Sequence, residues 1–192
     1  MDRRRNRKGI VLILSGLLLV VISCGWGWKN YLEDKRAGEE AAALMEQIAE
    51  QTGREHQKTE EELPSLLVAG EEFCGYVVIE KIGVELPVFN DWDYNRLLEA
   101  PCRYRGGVET GDMIIVAHNY KSHFGNLKEL QIGDEIAFFD AAGTKHPYVV
   151  SELAILDGTA VDDMEEGDWD FTLFTCTVGG KQRVTVRCKS VT

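Results

Sequence analysis

Three side chains in the second half of the chain have the chemistry for acyl transfer: a cysteine, a histidine and an arginine. Cys176 closes the run Thr172-Leu173-Phe174-Thr175-Cys176. After the short segment Thr177 to Gln182, Arg183 opens the run Arg183-Val184-Thr185-Val186-Arg187. His118 directly follows Met113-Ile114-Ile115-Val116-Ala117. A thiol is the strongest side-chain nucleophile near neutral pH once a neighbour favours its thiolate. An imidazole beside it stabilises the thiolate and later protonates a leaving amine. A guanidinium can donate to a substrate carbonyl and to the oxyanion formed on attack, a contribution on the order of 3–4 kcal/mol in the transition state. A lone cysteine in a β-core is usually inert packing. Only the combination gives Cys176 a chemical reading.

The elements that must position these groups read as strands. The residues before Cys176 and after Arg183 are β-rich, and the Val178-Gly179-Gly180 segment between them reads as a tight turn. On the returning strand, alternation puts Arg183, Thr185 and Arg187 on one face and Val184 and Val186 on the other. With the valines inward, Arg183 faces outward beside the strand of Cys176. Arg187, about 13 Å further along, reads as a solvated surface charge, and Cys188, on the valine face, as buried. Met113 to Ala117 is a continuous apolar strand that delivers His118. Of the other histidines, His56 lies in a polar tether and His146 beside Pro147 at the start of a strand. His123, on the loop after His118, is the one competitor for its role.

Further strands are expected at Tyr76 to Glu80, Leu86 to Phe89, Asp134 to Phe139 and Pro147 to Ile155, with Pro87 at an edge or strand start. Asp93 to Ala100 is the best helical candidate, stopped before Pro101. Many short strands with Gly turns and little helix indicate a closed or nearly closed β-barrel over residues 70–192.

The 192 residues suit one compact domain with accessory segments. The net charge is −11, yet residues 1–8 carry five basic residues and one acidic. Setting these aside leaves 16 Lys+Arg against 31 Asp+Glu, a net of −15. So acidic a body lacks the basic face that nucleic-acid binding requires. Residues 9–28 contain no charge and include the apolar run Ile10 to Ile22. At about 1.5 Å per residue, a helix of that length spans close to the roughly 30 Å of a bilayer core. The basic cluster of residues 1–8 keeps the N-terminus cytoplasmic and places the body outside the cell. A single-pass signal anchor is the first reading. Val21-Ile22-Ser23-Cys24-Gly25 also resembles a lipoprotein box in which Cys24 would be lipidated. Residues 29–69 read as a stalk: an exposed Ala-rich helix to Thr52 with Gly38 its one breaker, then a polar tether from Gly53 ending near Pro64.

These residues together resemble the sortases, the transpeptidases that attach proteins to Gram-positive cell walls. Thr172-Leu173-Phe174-Thr175-Cys176 matches the family's TLxTC signature. Ala117-His118 at a strand end is similar to its catalytic histidine, and Arg183 to its arginine. Gly75 to Val88 resembles its first two strands, and Leu130 to Glu135 also fits. The resemblance covers residues 70–192. It implies a mainly β, sortase-like closed barrel of about eight strands with one or two short helices, preceded by a transmembrane helix and a helical stalk. It implies catalytic roles for His118, Cys176 and Arg183, with Thr175 lining the substrate site. It also implies cleavage of an LPxTG-like sorting signal through an acyl-thioester on Cys176.

The implied partners are secreted proteins bearing a C-terminal sorting signal, a peptidoglycan or pilin amine, and the membrane. No cofactor is implied. Asp162-Asp163 and Glu165-Glu166 lack recognisable ligand spacing and read as a solvated loop rather than a calcium or other metal site. Three features depart from the family: the segment from Ile155 to Asp170 and the Cys-to-Arg loop are short, and Asn119-Tyr120 follows His118. They leave the sorting motif and the subclass open. Two other readings stand beside transfer: a surface cysteine peptidase that only hydrolyses, and an inactive membrane-anchored binding module. Cys74, Cys102 and Cys188 face an oxidising space in which a disulfide could form, with connectivity open.

Overall fold

The computed structural model of the chain describes residues 2–52 and 65–191. The chain divides into two compact units, with the boundary between Arg36 and Ala37. One helix, α1 (Asp2–Thr52), contributes to both and continues through Gly38 without the expected break. In the first unit Ile10, Leu14, Leu18 and Val21 are each more than half exposed. This part of α1 is long and apolar enough to cross a membrane. Apolar side chains uncovered all round a helix suit lipid rather than a protein core.

In the second unit the exposed stalk helix expected from the sequence is corrected. Ala37, Ala41 and Ile48 are at most 2% exposed. They fall on one helical stripe, but among so many charged neighbours the stripe is too sparse to read as amphipathic. The tether expected from Gly53 to Pro64 lies outside the described residues.

Nine strands follow: β1 (Leu66–Val68), β2 (Glu71–Ile79), β3 (Val84–Phe89), β4 (Cys102–Arg105), β5 (Met113–Val116), β6 (Glu135–Asp140), β7 (Lys145–Asp157), β8 (Phe171–Cys176) and β9 (Gln182–Ser190). They run in the order β1-β2-β3-β4-β5-β8-β9-β7-β6, and β6 pairs back onto β2. Eight strands therefore close a barrel, with β1 as a short addition. Both β1 and β6 pair with β2, β1 along Glu71–Phe73 and β6 along Gly75–Val78. Gly75 makes the change-over possible: at φ 146°, a Cβ there would stand 2.0 Å from the Phe139 carbonyl oxygen.

Alternation sorts the strand residues into two cores. Met113, Ile115, Leu173 and Val186 belong to one cluster, and Ile114, Val116 and Phe174 to the other. With both faces covered, β5 needs an apolar residue at every position, which is why it reads as a continuous apolar run. The helix expected over Asp93 to Ala100 shrinks to α2 (Arg96–Glu99). The Asp93 carboxylate accepts from the Asn95 backbone N–H at 2.8 Å, a turn that competes with helix at its start. A second short helix, α3 (Val161–Glu165), lies between β7 and β8.

Candidate active site

Strand register brings the three chemical groups to one end of the barrel. β5 and β8 are parallel, with Val116 opposite Phe174, and the Ala117 N–H donates to the Phe174 carbonyl at 3.2 Å. Two residues beyond that pair on each strand come His118 and Cys176. β8 and β9 are antiparallel with Cys176 directly opposite Arg183. Opposed residues in such a pair have side chains on the same face of the sheet. His118, Cys176 and Arg183 all line one cavity of about 210 Å³. A larger groove of about 330 Å³, against Tyr76, Glu135 and Phe139, offers neither thiol nor imidazole.

His118 is half-buried, and its Nε2 is buried with no hydrogen-bond partner among the described residues. Loss of hydration pushes its pKa below the ordinary value of 6.5. The ring lies against Tyr120, centroids 4.9 Å apart. His123 is fully buried and its ring also lies against that tyrosine, at 5.5 Å. Of the two imidazoles on this loop, only that of His118 lines the cavity.

Cys176 is partly exposed, whereas Cys74, Cys102 and Cys188 are buried free thiols whose pKa values desolvation pushes up to about 12. Those three remain protonated at neutral pH and pack as small apolar groups. The Arg183 guanidinium donates to the Gly180 carbonyl at 2.9 Å, so the hairpin turn steadies it. Asp157, also on the cavity wall, is held below the usual carboxylate range by the Thr159 hydroxyl and backbone N–H, with the charge of Arg183 adding to them.

Thr175 is not among the residues that line the cavity. Alternation turns it to the barrel interior with Leu173, where it is 2% exposed and donates to the Ala117 carbonyl at 2.8 Å. Its hydroxyl ties the strand of the cysteine to the residue before His118.

Arg187 is likewise not a solvated charge. It pairs with the Glu152 carboxylate at 2.8 Å, lies over the Trp169 ring at 5.4 Å and donates to the Asp163 carbonyl. Its side chain is only 11% exposed.

Two walls rise from the strand floor. Trp92, Tyr94 and Leu97, from the β3–β4 connection, form one together with Tyr104. The β7–β8 connection forms the other with Gly158, Ala160, Val161 and Met164. α3 is held from both sides: the Tyr104 hydroxyl donates to Glu165 at 3.1 Å, Arg105 pairs with the same carboxylate, and Arg187 takes the Asp163 carbonyl. The acidic segment read as a solvated loop is therefore engaged by neighbouring strands. Among the described residues no group of three or more His, Cys, Asp or Glu could hold a metal. Sequence reasoning passed over both walls, although Trp92 and Tyr94 so close together in a polar connection were a usable signal.

The Sortase domain family model matches residues 77–191, more than half of the chain. Among solved structures, the chain is similar to sortase C1 from Streptococcus suis, at 25% identity over 62% of this chain and 73% of that one, with TM-score 0.56. It is similar to sortase C1 from Streptococcus agalactiae at 21% identity, over 79% and 89% of the two chains, with TM-score 0.58. It is also similar to a Clostridium perfringens sortase D5 transpeptidase at 22% identity, over 82% and 99%, with TM-score 0.60. The last two likenesses show the fold. No curated protein matches the chain.

Proposed function

Because the chain belongs to the sortase family, we propose that it is a membrane-anchored cysteine transpeptidase. It cleaves an LPxTG-like sorting signal of secreted proteins and transfers the acyl part to a cell-wall or pilin amine. The observation that carries this reading is the convergence of His118, Cys176 and Arg183 on one cavity.

The residues support the following steps. The lowered pKa of His118 leaves its imidazole neutral at pH 7, so it can accept the Cys176 proton as sulfur attacks the scissile carbonyl. Arg183, opposite Cys176, donates to the oxyanion of the tetrahedral intermediate. The intermediate collapses by breaking the C–N bond. His118 returns the proton to the leaving amine, and a thioester remains on Cys176. An incoming amine then attacks that thioester while His118 takes up its proton. Collapse of the second intermediate forms the new amide and expels the thiolate of Cys176, which regains the proton.

The apolar stretch of α1 supports the anchor. The basic residues before it support a cytoplasmic N-terminus and an extracellular catalytic domain. The test is to incubate the full chain in detergent with a sorting-peptide library and trap the thioester by mass spectrometry. Acyl mass on Cys176, and product that shifts from acid to amide when an amine is added, are the expected results. Hydrolysis unaffected by any amine would overturn transfer.

A further inference from the structure

The loop that carries His118 touches a part of the molecule that the reaction does not use, the middle of α1. That loop is wound tightly on itself. The Phe124 N–H donates to the His118 carbonyl at 3.1 Å, and the N–H groups of His123 and Gly125 both donate to the Tyr120 carbonyl, at 3.0 and 2.8 Å. The rings of His118, Tyr120 and His123 lie in succession, centroids 4.9 and 5.5 Å apart. A displacement anywhere in so short and cross-tied a loop is therefore passed to the ring on which His118 rests.

The outer side of the loop meets Gly38. A Cβ added there would stand 3.0 Å from Ser122 Cβ and 3.6 Å from its Oγ. Glycine is a poor residue for a helix interior unless something must approach closely. The other four described glycines of α1, Gly9, Gly16, Gly25 and Gly27, have no described residue within 4 Å of such a Cβ. One turn later Ala41 is fully buried in the same core cluster as Ala117 and Phe124, the residues that flank this loop. Small residues at 38 and 41 thus let the helix backbone sit directly against the histidine loop.

We propose that the turn of α1 from Ala37 to Ala41 is a buttress for the His118 loop, and that Gly38 is a positioning residue for the catalytic imidazole. The proposal takes His118 as the proton-transfer group. It gives the segment that reads as a stalk a role in setting the active site. A side chain at position 38 drives Ser122 away, Ser122 carries Tyr120 and His123 with it, and the imidazole of His118 loses its partly dehydrated seat.

The test uses the full chain in detergent micelles and two readouts. One is the titration of His118, followed by hydrogen–deuterium exchange at its imidazole C2 with mass spectrometry. The other is steady-state kinetics with an LPxTG peptide and an amine. In Gly38→Val the His118 titration is expected to move up toward 6.5, with kcat about tenfold lower and KM within about twofold of the parent. Adding Ser122→Gly is expected to reverse both changes. Gly27→Val, at a helix glycine without neighbours, leaves both readouts at parental values. If Gly38→Val does not fold, Gly38→Ala is judged by the same criteria, since its Cβ already demands a shift of Ser122. A parental His118 titration in the folded variant overturns the buttress, as does a change that Ser122→Gly fails to reverse. If the titration moves and is reversed while the parent turns over no peptide, the buttress stands and the transpeptidase reading fails.

Discussion

The floor of the candidate active-site cavity is made of strand residues locked in register, whereas its walls are largely loops held at a few points by side chains. On the floor, Cys176 and Arg183 face each other across the β8–β9 ladder, and the Thr175 hydroxyl ties β8 to the residue before His118. On the walls, Trp92 is 44% and Tyr94 71% exposed, and α3 depends on Glu165 and on the Asp163 carbonyl for its attachments. The difference separates two tasks. Groups that must meet a reacting carbonyl within tenths of an ångström stand where backbone hydrogen bonds leave little freedom. Under the proposed function, groups that would recognise a flexible peptide stand on segments that can adjust to it.

The sharpest way to break this comparison is to remove a floor residue. Cys176→Ala is expected to lower kcat about 10⁴-fold or more, because a nucleophile and its base act as a unit. Intact-mass analysis should then find no acyl adduct. Arg183→Ala should lower kcat by about 10²–10³-fold. Arg183→Lys should recover little of that loss, since a point charge does not reproduce the guanidinium fork. Thr175→Val keeps the side-chain shape and deletes the donor to the Ala117 carbonyl. It should lower the unfolding free energy by about 1–3 kcal/mol, read by denaturant titration, and reduce kcat more than it raises KM. A rise in KM alone would return Thr175 to the substrate contact first expected of it.

On the wall the pattern should reverse. Tyr94→Ala should raise KM several-fold and leave kcat within about twofold, by the logic that it contributes to binding in ground and transition states alike. A kcat collapse in that variant would erase the distinction between floor and wall. The smallest expected effect concerns pH. The lowered pKa of His118 means that the unfolded chain binds its proton more readily than the folded one. Stability from this group is therefore present above pH 6.5 and is lost as pH falls from 6.5 through the lower folded value. His118→Gln should flatten that part of the Tm-versus-pH curve, and an unchanged slope would contradict the burial of the imidazole.

How far the site was legible can be judged from single residues. The parity of Arg183-Val184-Thr185-Val186 placed the arginine outward and Cys188 inward, and both positions hold, because alternation is a local property of any strand. Thr175 obeys the same rule. Adjacent to Cys176, it had to face the opposite way, into the barrel, and the resemblance to a family motif had masked that consequence. Arg187 followed its parity but not its expected solvation, since Glu152 comes from β7 and Trp169 from the segment before β8. Neither can be placed beside it without the sheet order.

The amino-acid sequence by itself determined what depends on neighbours along the chain: the apolar helix, the alternating strands and the residue types that can transfer an acyl group. Those follow from periodicity and from side-chain chemistry, which need no knowledge of the fold. The tertiary structure added what burial decides: His118 lines the cavity whereas His123, five residues on in the same loop, is fully enclosed. The same holds for the helix beyond Arg36, where Ala41 and Ile48 lie in core clusters that include residues more than sixty positions away as well as nearer ones. Burial is a property of what packs on a residue, and that is settled when the barrel closes.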